Sequence, residues 1–97
     1  MKLAVIVNPA AGRGGAGREW PRLQAAIQQL LGPHEAHFSE SKSHATELTR
    51  DTLHAGATTV LSVGGDGTHS EVVNGFFDAG RAVNPHAWGS PHIIRSP

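Results

Sequence analysis

Ninety-seven residues and 10.2 kDa allow one small domain or part of a larger one. Eight Lys/Arg balance eight Asp/Glu, so the chain as a whole carries no basic field for grasping nucleic acid, although the first 22 residues are net +3. The absence of cysteine excludes a disulfide scaffold, a thiol nucleophile and any Cys-ligated zinc or iron–sulfur site.

Leu3-Ala4-Val5-Ile6-Val7 is the longest apolar run. It is too short for a membrane span or a secretory core, which predicts a cytoplasmic chain, and it reads as a strand covered on both faces. Asn8 to Gly17 is a loop with four glycines and one proline. Trp20, Leu23, Ile27, Leu30 and Leu31 then recur at helical spacing until Gly32-Pro33. Pro21 is tolerable only in a first turn, which places the helix start near Arg18.

Glu35 to Phe38 reads as a second strand by its position between two helical patterns. Ser43 is a candidate N-cap for a helix through Ala45, Leu48, Thr52 and Ala55, closed by Gly56. Thr59 to Val63 is apolar and β-branched, a third strand running into Gly64-Gly65-Asp66-Gly67. Thr68 and Glu71 have capping-box spacing; Val72, Val73, Phe76 and Phe77 supply one apolar face, and Gly80 a stop. The order βαβαβα demands a mostly parallel sheet in a three-layer α/β fold. Residues 82–97 hold three prolines without periodicity and read as a tail or a broken element.

Both glycine-rich turns follow a strand and precede a helix, so they share the edge where such sheets bind ligands. Glycine lets a phosphate approach the backbone, helix N-termini offer N–H groups to anions, and Arg13 and Arg18 add countercharge at the first turn. No Gly-Lys-Ser/Thr loop occurs. Gly12-x-Gly14-x-x-Gly17, with Glu40 downstream, satisfies a dinucleotide fingerprint, but Asn8-Pro9-Ala10-Ala11 separates the strand from its first glycine. In Gly64-Gly65-Asp66-Gly67-Thr68, helix capping would account for Asp66 and Thr68 but not for two adjacent glycines. A phosphate-bearing ligand accounts for them, with Asp66 set to bind its metal ion or to handle a proton. The seven histidines form no metal constellation and read as surface residues. Trp20, Phe76 and Phe77 read as packing.

Asn8-Pro9-Ala10-Ala11-Gly12, followed about fifty residues later by Gly64-Gly65-Asp66-Gly67-Thr68-His69-Ser70-Glu71-Val72-Val73-Asn74-Gly75, resembles the diacylglycerol kinase catalytic domain. That domain is shared by sphingosine, ceramide and bacterial YegS-like lipid kinases. Ser39-Glu40 and His44-Ala45 resemble the family's second nucleotide-contact segment, and the likeness runs over roughly residues 1 to 80. It implies a Rossmann-like domain, similar to that of phosphofructokinase, using ATP and Mg²⁺ to phosphorylate diacylglycerol or a related lipid alcohol. The resemblance puts Asn8, Gly12, Arg13 and Gly14 beside the nucleotide, with Ser39 in place of a threonine. Gly64, Gly65, Gly67 and Thr68 would cradle phosphates, and Asp66 would be the carboxylate at the reacting centre.

Ala11 and Ser70 depart from the family's usual serine and asparagine, and the sequence after Val83 matches none of its later motifs. The expectation is a nucleotide-binding part at 1–81, an atypical tail at 82–97, and no lipid-binding second domain. Such a chain would be inactive alone and prone to self-association through an uncovered sheet edge. A lipid acceptor implies contact with a membrane periphery, which no amphipathic basic helix here demands. The competing readings are a non-catalytic nucleotide-binding fragment, an NAD-kinase-like protein that shares the Gly-Gly-Asp-Gly-Thr turn, and an NAD-binding oxidoreductase built on Gly12 to Gly17.

Overall fold

The structure is a computed structural model that describes residues 2–85, 87 and 92–95. The remaining positions of the expected tail, 86, 88–91 and 96–97, lie outside the described residues. Strand β1 (Leu3–Val7) is buried along its whole length and lies between two parallel neighbours, β2 (Glu35–Phe38) and β3 (Thr59–Gly64). Burial on both sides is what a continuous apolar run demands. On one face Leu3, Val5, Val7, Leu61 and Val63 pack against Ala16, Trp20 and Ile27 of helix α1 (Gly15–Leu31). On the other, Ile6 and Val60 meet Ala45 and Leu53 of α2 (His44–His54) and Val72 of α3 (Asp66–Gly75), with Phe76 just beyond. These are the three layers expected of a βαβαβα chain.

Several local details differ from the sequence reading. Helix α1 starts at Gly15, so Pro21 lies in its second turn, and Leu30 and Leu31 are exposed. The loop glycines enter the helix early because Gly14 adopts a left-handed conformation and Gly17 N–H donates to Pro9 O at 3.0 Å, stitching the first turn to the loop. Ser43 stands just before α2 but is left-handed, at φ 70°, and makes no side-chain cap. Helix α3 has Gly65 at its N-cap, so Asp66 and Thr68 both lie inside the first turn and no capping box forms. A residue three places too deep in a helix cannot cap it, because its own N–H is already one of the orphan donors.

Of the apolar face proposed for α3, Val72 and Phe76 are buried while Val73 and Phe77 are exposed. The helix stops at Gly75. A short antiparallel hairpin follows, β4 (Phe77–Asp78) and β5 (Arg81–Ala82), and Gly80 serves its turn. Ala79 and Gly80 both have positive φ, 51° and 78°, as a two-residue turn between twisted strands requires. Arg50 Nη2 donates to Phe77 O at 2.8 Å and holds the hairpin to α2. Within the stretch read as a tail, β6 (His92–Arg95) runs parallel to β3, giving the order β2-β1-β3-β6. Without β6 the outer edge of β3 would be left with unpaired backbone groups, and the pairing of Leu61–Gly64 with His92–Arg95 covers it.

One histidine is misread as superficial. His69, in α3, is only 5% exposed, and its Nδ1 lies 2.6 Å from Oγ of the fully buried Ser62 on β3. This pair ties the helix after the second glycine turn to the strand before it.

Pro21 cannot donate to the Gly17 carbonyl, and an interior proline costs about 3 kcal/mol against alanine in an ideal helix. Its position is exposed, so nothing offsets that loss through packing. Pro21→Ala is expected to stabilise the chain by about 1–3 kcal/mol, read as a raised thermal midpoint; a lowered midpoint would show that the proline fixes the angle between loop and helix.

Candidate functional site

Because β2, β1 and β3 are adjacent and parallel, the segments leaving their carboxyl ends emerge side by side. The register pairs Phe38 with Val7 and Val7 with Val63, so one step further Ser39, Asn8 and Gly64 stand abreast. The ladder continues to that step: Ser39 N–H donates to Val7 O at 2.8 Å and Asn8 N–H to Val63 O at 2.9 Å. Three loops separated by decades of sequence are thereby held at one edge.

Asn8 joins two of them through its side chain. Its Oδ1 accepts from Ala10 N–H at 3.2 Å, an Asx turn that bends the first loop away from the strand. That contact fixes which way the amide points, leaving Nδ2 to donate to Thr68 Oγ1 at 3.2 Å in the first turn of α3. Thr68 is buried, and the bond spans 60 positions in sequence. Its hydroxyl, expected to cap a helix, instead latches the second glycine turn to the first.

Beyond Asn8 the first loop coils tightly. Gly12, Arg13 and Gly14 all have left-handed backbones, at φ 63°, 57° and 85°. Arg13 adopts this disfavoured conformation with its carbonyl accepting from Arg18 Nη1 at 3.2 Å. The Arg18 guanidinium, expected as countercharge, thus also braces the loop.

The second turn divides its glycines by purpose. A Cβ at Gly64 would lie 2.5 Å from Thr68 Oγ1 and 2.8 Å from Thr68 Cβ, so the latch itself demands glycine there. At Gly65 and Gly67 a Cβ would meet nothing within 4 Å, and both are exposed. Internal packing explains one glycine of three and leaves two whose bare backbone faces open space beside the start of α3. Asp66 lies between them, exposed in the helix's first turn. A carboxylate there is favoured by the helix dipole.

A cleft of about 310 Å³ opens beside this edge, lined by Asn8 and Ala10, by Ser39 to Lys42 with Ala45, and by Thr68 and Glu71. Of the residues singled out in sequence, Asn8, Ser39, Glu40, Ala45 and Thr68 share its wall. Gly12, Arg13, Gly14, Gly64, Gly65, Asp66 and Gly67 belong to the adjoining turns rather than to the lining. The cleft also exposes groups that sequence reasoning did not assign as site residues, notably Lys42 and Glu71. In sequence Glu71 reads as a capping partner within the family motif and carries no site role; its place five residues after Asp66 carries it more than one helical turn on. Among the described residues no three His, Asp or Glu side chains gather in a way that could hold a metal ion.

The sequence pattern of the diacylglycerol kinase catalytic domain matches residues 2–88. The chain is 34% identical over 76 residues to YtlR of Bacillus subtilis, a protein named for lipid kinase activity, covering 75% of this chain and 25% of that one. It is 32% identical over 81 residues to human sphingosine kinase 1, covering 79% and 20% respectively. A crystal structure of a diacylglycerol kinase from Bacillus anthracis superposes with a TM-score of 0.58 at 28% identity, over 76% of this chain and 27% of that chain. The chain belongs to the diacylglycerol kinase catalytic domain family. It spans between a fifth and a quarter of the length of these two curated relatives.

The contrast among the glycines is measurable. Gly64→Ala drives a methyl group into Thr68 and is expected to cost about 1–3 kcal/mol. Gly65 sits at φ −95°, ψ −172°, which alanine adopts freely, so Gly65→Ala is expected to change stability by less than about 0.5 kcal/mol. Urea unfolding of both variants checks this, and equal losses would mean that space at the turn does not separate them.

Proposed function

We propose that this chain forms the nucleotide-binding part of an ATP-dependent lipid kinase, which transfers the ATP γ-phosphate to the hydroxyl of diacylglycerol or a related lipid alcohol. The observation that carries the reading is the Asn8–Thr68 latch. It ties the Asn-Pro opening to the Gly-Gly-Asp-Gly-Thr turn and sets both against one cleft. An NAD-kinase-like protein would account for the turn but not for its link to the Asn-Pro loop.

In this reading the helix α3 N-terminus and the bare backbone at Gly65 and Gly67 receive phosphate oxygens. Gly64 and Thr68 shape that turn, while Asn8 and the Gly12-Arg13-Gly14 coil lie beside the nucleotide, with Arg13 and Arg18 as countercharge. Ser39 and its loop form the opposite wall. Phosphoryl transfer asks a protein chiefly for positioning and charge stabilisation, and three loops fixed to one sheet edge meet the first demand.

Mg²⁺ fits the residues present in a restricted sense. It binds through one or two carboxylates together with substrate phosphates rather than in an all-protein cage. Asp66, in the first turn of α3, is the carboxylate on the turn that would share such an ion with the phosphates. When bound, the ion would neutralise charge on the phosphates. Asp66 would orient it, or alternatively hold the proton of the attacking hydroxyl. A lipid acceptor brings the protein to a membrane periphery; no helix among the described residues is long and apolar enough to cross one.

Thermal unfolding tests the assignment, because a ligand that binds only the folded chain raises its midpoint. Mg-ATP at about a hundred times its Kd adds about 2.7 kcal/mol, a rise on the order of 10 °C for a domain of this size. The expected pattern is a rise with Mg-ATP and little change with NAD. Asp66→Asn should abolish the Mg-ATP-dependent rise, while its ligand-free stability changes by less than about 1 kcal/mol. A response to NAD in place of ATP, or an undiminished ATP response in Asp66→Asn, would refute it.

A further inference from the structure

The wall of the cleft opposite α3 is a loop, and it has little to hold it. Ser39 is fastened to β1 by its N–H and by its hydroxyl, which donates to Val7 O at 3.4 Å. After it Glu40, Ser41, Lys42 and Ser43 are all exposed, and Ser43 is left-handed without a side-chain cap. Such a segment would sample many shapes at room temperature. One side chain closes it. Glu40 N–H donates to His44 Nδ1 at 2.9 Å, while His44 N–H donates back to Ser41 O at 3.2 Å. The two bonds make a ring between the loop's first free residue and the first residue of α2.

We infer that His44 is a positioning residue for the nucleotide site. It fixes the Glu40–Lys42 wall in the shape that the ligand meets, without touching the ligand itself. The imidazole suits the task because Nδ1 branches from Cγ, close to the backbone, and reaches back over a single turn of chain. Accepting at Nδ1 requires the neutral ring with its proton on Nε2. His44 is half-buried and is not itself part of the cleft lining, whereas Glu40, Ser41 and Lys42, the residues its ring closes, are. The consequence for ligand binding rests on the nucleotide reading above; the consequence for the loop does not.

Two substitutions separate the acceptor from the bulk of the side chain. Asparagine carries Oδ1 on Cγ, at the branch point Nδ1 occupies, so His44→Asn keeps an acceptor for Glu40 N–H. His44→Leu keeps apolar bulk and loses it. Amide hydrogen exchange of Glu40 in the whole 97-residue chain reads the loop directly, and titration with Mg-ATP reads the site. One backbone hydrogen bond corresponds to roughly a three- to tenfold effect. In His44→Leu, Glu40 exchange is expected to accelerate and Mg-ATP affinity to fall by about that factor. In His44→Asn, both should return to within about twofold of wild type. Rescue distinguishes this from a general packing role, which asparagine would not restore. Unchanged exchange in His44→Leu, or asparagine behaving as leucine does, overturns the inference. If the wild-type chain binds no Mg-ATP, the nucleotide reading fails, and the hold of His44 on the loop is decided by Glu40 exchange alone.

Discussion

The hydrogen bond from Asn8 Nδ2 to Thr68 Oγ1 is the constraint on which the arrangement of the candidate site depends. It joins the residue that ends β1 to the first turn of the helix that follows β3. Its direction is determined by a second bond, since Oδ1 is already engaged by Ala10 N–H. The backbone of Asn8 meanwhile continues the sheet by donating to Val63 O. One residue thus terminates a strand, starts a turn and braces a neighbouring loop. The bond adds only about 1 kcal/mol net, as most neutral hydrogen bonds do. Its value lies in what it makes mutually dependent. Thr68 must sit close over the end of β3 to receive it, and that closeness is what forbids a Cβ at Gly64.

The sheet supplies the rest of the precision. Covering β1 on both faces brings its neighbours into fixed register, and register alone sets Ser39, Asn8 and Gly64 abreast. The helices are held by apolar contacts on either side, with Trp20 and Ile27 above and Val72 and Phe76 below. Each fully buried side chain of this kind contributes about 1.5–3 kcal/mol through the area it removes from water. The polar chemistry at the edge can therefore be open and weakly self-bonded, because the scaffold beneath it does not rely on those loops for stability. That division is common where loops carry function on a rigid sheet.

What the sequence revealed and what it concealed follow from the range of the interactions. The three strands, the helices between them and the placing of glycine turns at one edge were legible because they arise from local hydrophobic period and turn chemistry. The family was legible from two motifs, Asn8 to Gly12 and Gly64 to Gly75, and matching of residues 2–88 bears this out. Details that depend on a distant partner were not legible. Thr68 looks like a cap until its hydroxyl is seen to face Asn8, and Ser43 looks like one until its left-handed backbone turns the side chain away. His69 resembles any surface histidine in a polar-looking helix start, yet a serine on β3 receives it in the core. Strand β6 was hidden among prolines, and its pairing depends on the edge that β3 would otherwise leave uncovered, far away in sequence. The start of α1 at Gly15, against low helix propensity, reflects tertiary contact of Gly17 with Pro9 overriding a local preference.

The glycines give the clearest passage from packing to function. A glycine retained because a neighbour presses on it says nothing about ligands, and Gly64 is of that kind, as is Gly17 against Pro9 O, 2.9 Å from where a Cβ would lie. Gly65 and Gly67 have neither crowding nor a left-handed backbone to excuse them. Inside a helix's first turn, Gly67 even forgoes the stability that alanine would add, about 0.5–1 kcal/mol. A residue that is locally unfavourable and internally unnecessary points outward, to something that must approach the backbone more closely than a methyl group allows. At a helix N-terminus, beside a carboxylate and a polar cleft, the ligand we propose, an oxyanion with its cation, has the chemistry that such a space would take. The steric argument reaches this turn from the space around each glycine and not from the motif.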